Sequence, residues 1–325
     1  MKYISKYFLG LSLMLAAGFS SCTGDLDVPP KDPNQDTPEK MFAADPRGTM
    51  DRLLAECYQG LATAGNKGAG ESILGFGDAG AGTFTRTIFN LEELTTDHFS
   101  WLQFNDGGYY ELVTMAFAPD NEVMYAAYSR IYGEIALCNE FIRTIQQYRS
   151  YLSDGDQAAA DDAIRQAKIL RSLAYFYAIS DFGSAGYVDE TTEAGTAPVQ
   201  YSRADLYNKV VSTLEEVSAE YGDSYTAPAY GYVGKEAADA LLARFYVNAG
   251  VFTGTPAYDK CWNICQKIIA HHQGAGFDNS GLSDSYKALF GANNKEYAAQ
   301  GSRVNEIIFT IPQDGINLQA YGGST

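Results

Sequence analysis

The residues best suited to bind a ligand lie in one aromatic segment, residues 99–110. The segment reads Phe-Ser-Trp-Leu-Gln-Phe-Asn-Asp-Gly-Gly-Tyr-Tyr, which places aromatic rings beside amide and carboxylate groups on a glycine-containing turn. A sugar ring matches such a surface, because its C–H face stacks on an aromatic ring while its hydroxyls form hydrogen bonds with polar groups. The segment therefore predicts ligand contacts from Trp101, Phe104, Asn105, Tyr109 and Tyr110. The alternative interpretation is that Trp101 and Phe104 anchor the loop to a hydrophobic core.

Catalytic and metal-binding chemistry have weaker candidates. A glycosidase needs two carboxylates roughly 5–10 Å apart across a cleft, and the acidic residues nearest the aromatic segment are Glu92, Glu93, Asp97, Asp106 and Glu111. None of these pairs stands out, since a chain with 40 acidic residues brings carboxylates together by chance. Cys261 and Cys265 share one helix face and suggest zinc with His271 and His272, yet adjacent histidines point in different directions on a helix. We expect no enzymatic activity, no cofactor and no bound metal.

The overall charge argues against polyanionic partners. The chain has a formal net charge of −17. Such a surface repels phosphate backbones and anionic lipid headgroups, so we expect no nucleic-acid binding.

The N-terminus has the layout of a secretory signal. Lys2 and Lys6 precede an apolar run, residues 7–19, that ends in small residues and Cys22. Small residues followed at once by cysteine resemble a bacterial lipoprotein signal, in which Cys22 is lipidated; an ordinary cleaved signal with an incidental cysteine is the alternative. We expect a signal peptide over residues 1–21, a lipidated N-terminus and tether over 22–40, and one helical domain over 41–325.

Apolar residues spaced by three and four predict a mostly helical domain with long loops. The predicted helices cover residues 50–61, 121–148, 156–182, 235–250 and 256–271, with one more beginning at Ser202. An aromatic pattern in the third helix recurs 70 residues later, about twice the period of a tetratricopeptide (TPR) helix pair. The β-rich run 306–312 predicts one buried strand. The remaining cysteines, whose disulfide state the sequence leaves open, are interpreted as small buried hydrophobic residues: Cys57, Cys138, Cys261 and Cys265.

Five motifs in order resemble those of the SusD/RagB family of outer-membrane nutrient-binding lipoproteins. They are residues 90–97 (N-L-E-E-L-T-T-D), 132–139 (Y-G-E-I-A-L-C-N), 167–177 (A-K-I-L-R-S-L-A-Y-F-Y), 234–244 (G-K-E-A-A-D-A-L-L-A-R) and 305–309 (N-E-I-I-F). Each motif alone is weak, but together they extend over most of the chain that follows the signal.

The resemblance implies an all-α fold of TPR-like helical hairpins with minor β-strand content. It also implies a Bacteroidetes-type surface lipoprotein, anchored in the outer membrane at Cys22, that captures glycan for a SusC-like TonB-dependent transporter. RagB-like members take peptide instead, and a TPR scaffold or a polysaccharide-degrading enzyme is a further alternative. A Trp and an Asn bind glycan in the corresponding region of family members, which points to Trp101 and Asn105. Family members are usually longer, so a C-terminal portion is expected to be missing.

Overall fold

The computed structural model describes residues 36–64, 74, 82–193, 195–226, 228–274, 283, 285–291 and 306–312. Cys22, the signal segment and most of the glycine-rich stretch that precedes Phe84 lie outside the described residues. Chain contacts divide the protein into two units, Met1–Pro46 and Arg47–Thr325. In the first unit, helix α1 (Pro38–Ala44) begins after Thr37, whose hydroxyl accepts a hydrogen bond from the Lys40 backbone N–H.

The second unit consists mainly of helices. The first of them, α2, begins at Pro46, the last residue of the first unit. The helices are α2 (Pro46–Ala62), α3 (Phe84–Leu94), α4 (Tyr109–Val113), α5 (Glu122–Tyr148), α6 (Gln157–Tyr177), α7 (Arg203–Glu220), α8 (Lys235–Thr253), α9 (Tyr258–Gly274) and α10 (Tyr286–Leu289). Two three-residue strands, β1 (Ala185–Tyr187) and β2 (Val199–Tyr201), pair antiparallel with Ala185 opposite Tyr201. The all-α prediction with minor β content is confirmed.

The long helices form a stack in which each packs on the next. Helix α5 packs on α6, α6 on α7, α7 on α8 and α8 on α9. Helices that are neighbours in sequence are therefore neighbours in space, as in the predicted TPR-like hairpins. Helix α3 packs on α5 and carries α4 beside it. This arrangement fixes the N-terminal end of α5 next to the aromatic segment.

Local sequence explains where the helices begin and end. The Asn121 side chain caps α5 by accepting hydrogen bonds from the backbone N–H groups of Val123 and Met124. The Ser202 hydroxyl caps α7 in the same way, and both side chains satisfy donors that an α-helix leaves unpaired at its start. Helix α6 ends in a π-helical turn, Ala178–Phe182, and Gly183 follows with a φ of +77°, a conformation that favours glycine.

Aromatic residues lock the helix stack together. Phe176 of α6 packs edge-to-face on Phe245 of α8, with ring centroids 5.1 Å apart. Tyr207 of α7 also packs edge-to-face on Phe245, with centroids 5.7 Å apart. The two aromatic patterns related by the 70-residue offset therefore meet in the core, where edge-to-face pairs add stability to the burial of their apolar area.

Two sequence predictions are wrong. The described residues 306–312 form no strand and are not buried, since Ile307 is 39% exposed. A β-rich run becomes a strand only beside a hydrogen-bonding partner strand, and the described residues supply none there. Cys261 and Cys265 are partly exposed because α9 packs mainly on α8 and leaves much of its surface uncovered; Cys57 and Cys138 are buried as predicted.

No helix among the described residues is both long enough and apolar enough to cross a membrane.

Candidate functional site

The aromatic segment is held between α3 and α5. Its inner side packs on a cluster of buried residues from the end of α3, from α4 and from the start of α5: Leu94, Tyr109, Leu112 and Val123. The segment therefore rests on a rigid base, while residues 102–105 turn outward into solvent.

Trp101 is a partly buried residue that ties the segment to this base. Its indole stacks on the Tyr109 ring, with centroids 4.4 Å apart and planes 15° apart. Its Nε1–H donates a hydrogen bond to Asp106 Oδ2 over 3.2 Å. Tyr109 is only 7% exposed, so it supports the indole from beneath and presents little of its own ring to a ligand. The geometry matches the anchoring interpretation of Trp101, and a ligand contact from its remaining surface stays a prediction.

Phe104 and Tyr110 present the most accessible rings of the predicted set. Phe104 is 67% exposed and Tyr110 is 42% exposed, and they form an edge-to-face pair with centroids 5.2 Å apart. Asn105 lies between them in the sequence and is also exposed. Exposed aromatic rings beside an amide group provide the stacking and hydrogen-bonding groups that a carbohydrate requires.

A second exposed aromatic pair extends this surface beyond the sequence prediction. Phe89 of α3 packs edge-to-face on Phe99, with centroids 5.2 Å apart, and both rings are exposed. Phe99 belongs to the aromatic segment, but Phe89 comes from another element and carries no sequence signal that separates it from a core residue. We use the term aromatic surface for the exposed apolar residues Phe89, Phe99, Leu102, Phe104 and Tyr110.

Asn121 connects the segment to α5. Besides capping that helix, it donates from Nδ2 to the Gly108 carbonyl oxygen over 3.0 Å and to Glu111 Oε2 over 2.7 Å. Gly108 has a φ of +82°, and a Cβ there would lie 3.1 Å from a Val123 methyl group. One buried side chain thus fixes both the start of α5 and the turn that carries the aromatic rings. The sequence predicted a helix that begins at residue 121, but it did not predict these long-range bonds.

The Glu92 and Asp181 carboxylates lie close to each other near the site. Burial, together with the nearby negative charge of Glu92, raises the pKa of Asp181 to about 7, and burial raises the pKa of Glu92 itself. Asp181 Oδ2 is nevertheless shielded from solvent. A general acid must reach the leaving oxygen of its substrate, and this oxygen atom cannot do so in the observed arrangement.

The zinc interpretation finds no support in the geometry. Within the described part of the chain, no three His, Cys, Asp or Glu side chains lie together as metal ligands. Burial raises the pKa of the Cys261 thiol, and the neighbouring Cys265 thiol raises it further.

The sequence is similar to that of the starch-binding protein SusD of Bacteroides thetaiotaomicron. The two are 30% identical over 331 residues, which cover 100% of this chain and 54% of SusD. The chain therefore spans about half the length of this relative. No protein-family model matches the chain.

Solved structures of SusD-like proteins share the fold. The surface glycan-binding protein A from Bacteroides fluxus superimposes with a TM-score of 0.57 at 17% sequence identity, and the match covers 76% of this chain and 48% of the Bacteroides fluxus chain. A SusD superfamily protein from Bacteroides vulgatus gives 0.55 at 13% identity, with 76% and 47% covered. A laminarin-binding SusD-like protein gives 0.51 at 16% identity, with 67% and 42% covered.

Proposed function

We propose, from the premise that this chain is SusD-like in sequence and in fold, that it is a non-catalytic glycan-binding protein of the bacterial cell surface. It would capture oligosaccharide or polysaccharide and deliver it to a SusC-like TonB-dependent transporter in the outer membrane. The observation that carries this proposal is the 30% identity to a starch-binding protein along the whole chain. Two structural neighbours are also described as glycan-binding or laminarin-binding.

The aromatic surface is the proposed contact area for the glycan. Phe104 and Tyr110 would stack on sugar rings, while Asn105 would hydrogen-bond to hydroxyl groups. Trp101 would contribute its remaining exposed edge, supported by Tyr109 from beneath. Each ring contributes modest affinity, so several sugar units of one chain would have to be bound together to give useful retention.

The proposed location follows from the N-terminal sequence. Cleavage before Cys22 and lipidation of its sulfur would tether the protein to the outer membrane, with residues 22–40 as spacer. Metabolic labelling with a radiolabelled fatty acid tests this, because Cys22→Ala should abolish incorporation and release the protein from the membrane fraction. Label that persists in the variant would refute anchoring at this cysteine.

A binding experiment with matched variants tests the proposed site. The full chain is titrated with soluble starch and with laminarin in a calorimeter, and the double variant Phe104→Ala/Tyr110→Ala is compared with Tyr230→Ala. Tyr230 is an 80% exposed ring outside the aromatic segment and serves as the control. Loss of about five- to 150-fold in affinity is expected for the double variant alone, since each of the two stacking contacts contributes about 0.5–1.5 kcal/mol. Equal affinity of both variants would place the glycan elsewhere.

Peptide capture, as in RagB-like proteins, is the main alternative. Exposed aromatic rings beside carboxylates would also suit an extended basic peptide. A peptide library that binds where both glucans fail would favour this alternative. Release of reducing ends from either glucan by the purified chain would instead indicate an enzyme.

A further inference from the structure

We infer that the aromatic surface selects uncharged glycans and rejects polyanionic ones such as polyuronates and sulfated polysaccharides. This inference rests on the proposed function, because it assigns a ligand class to the same site.

The sequence around the surface is unusually one-sided in charge. The 43 residues from Thr87 to Ser129 contain no lysine or arginine. They contain seven acidic residues, namely Glu92, Glu93, Asp97, Asp106, Glu111, Asp120 and Glu122. His98 is the only basic side chain in this stretch, which includes every residue of the aromatic surface.

The fold keeps these charges close to the rings. Asp106 accepts the indole hydrogen bond of Trp101, and Glu111 lies on α4 immediately after Tyr110. Asp97 and Asp120 are exposed on either side of the aromatic segment in the sequence. Asn121, directly after Asp120, is bonded to Gly108, so the backbone next to Asp120 is held close to the turn.

Few cations lie near the surface to offset these seven carboxylates. Arg86, three residues before Phe89 on α3, is partly exposed at the edge of the stretch. The Arg130 guanidinium is buried and donates to the Ala64 carbonyl oxygen. Arg244 lies close enough to Glu92 to offset part of the rise in the pKa of this carboxyl, but its guanidinium stacks over the Phe176 ring at 4.3 Å. Asp181 adds another carboxyl beside Glu92. His98 lies 3.9 Å from a carboxylate oxygen of Glu93. The rings therefore face ligands within a negative potential.

Such a potential discriminates by ligand charge. A polymer with one carboxylate or sulfate per residue would bring several like charges within a Debye length of the site, roughly 10 Å at 0.1 M salt. An uncharged glycan meets no repulsion, and its hydroxyls can donate hydrogen bonds to carboxylates, which accept such bonds strongly.

The experiment compares each glycan with its own charged derivative. Soluble starch and laminarin are oxidised at C6 to the corresponding polyuronates, and part of each product is methyl-esterified to restore neutrality. The full chain is titrated with all three forms at 20 mM and at 500 mM salt. The methyl ester controls for the lost C6 hydroxyl, since it lacks both the hydroxyl and the charge.

Charge reversal at the site is compared with charge reversal far from it. Asp97→Lys and the double variant Asp97→Lys/Asp120→Lys act near the rings. The control Asp154→Lys makes the same change in net charge as Asp97→Lys, but it lies beyond the C-terminal end of α5. That helix has 27 residues, which corresponds to a length of about 40 Å.

The expected result is that the polyuronate binds at least about tenfold more weakly than its parent at low salt and recovers at high salt. The site variants should recover polyuronate binding at low salt, whereas Asp154→Lys should not. A polyuronate that binds as tightly as its parent at low salt overturns the inference while leaving the proposed function intact. Failure of both parent glucans to bind removes the proposed function, and the inference with it.

Discussion

Replacing Asn121 by alanine should destabilise the protein more than the loss of an ordinary helix cap. Its Oδ1 atom caps α5, and its Nδ2 atom donates to the Gly108 carbonyl and to Glu111. Loss of the cap costs about 1 kcal/mol. The Gly108 carbonyl oxygen would lose one of its two donors and keep the Leu112 backbone N–H, 3.3 Å away, so this loss costs about 0.5–1.5 kcal/mol. Glu111 is exposed, so water replaces its partner at little cost. Together these effects amount to about 1.5–2.5 kcal/mol.

Two matched variants separate the contributions. Asn121→Ser keeps a capping oxygen but loses both donated bonds, so it should fall between the wild type and Asn121→Ala. Ser202→Ala removes the cap of α7, which involves one hydrogen bond from a backbone N–H, and should cost about 1 kcal/mol. The resulting shift in melting temperature for Asn121→Ala is roughly 3–10 °C.

The assay is thermal unfolding followed by circular dichroism, together with starch titration of the folded variants. Starch affinity should fall in Asn121→Ala and remain unchanged in Ser202→Ala, because only Asn121 holds the turn that carries the rings. Equal destabilisation of the two alanine variants, within about 0.5 kcal/mol, would show that the bonds donated by Asn121 contribute nothing net.

Three further outcomes follow from the interior of the protein. Burial raises the pKa of Glu134 to about 8. The stability that this residue contributes is therefore complete below its pKa in the unfolded chain, roughly 4.3, and is lost as the pH rises to about 8. Glu134→Gln should flatten this loss in melting curves recorded across that pH range, and an unchanged pH profile would refute the raised pKa. A Cβ at Gly60 would meet the Glu134 carboxylate and lie 2.8 Å from a Leu137 methyl group, so Gly60→Ala should cost about 1–3 kcal/mol in a urea melt, whereas Gly155→Ala, with 3.8 Å of room, should be tolerated. Alkylation of the native protein should modify the partly exposed thiols of Cys261 and Cys265 and spare the buried thiols of Cys57 and Cys138. Peptide mass mapping checks this, and the reverse pattern would contradict the structure.

Several features of the fold could be predicted because they depend on neighbours in sequence. Apolar spacing located the long helices, and Ser202 marked where α7 begins. The five motifs that resemble those of the SusD/RagB family, among them residues 167–177, predicted the helical stack. The run at 306–312 misled, since a strand depends on a partner that no local pattern can guarantee.

Within the candidate site, sequence by itself determined the chemistry that is available: aromatic rings, an amide and many carboxylates in one stretch without lysine or arginine. Only the tertiary structure decided which rings face outward. It placed Trp101 on Tyr109 over a buried cluster, left Phe104 and Tyr110 exposed, and brought Phe89 to the same region from α3. The physical reason is that residue type and spacing are local properties, whereas burial depends on which distant elements pack together.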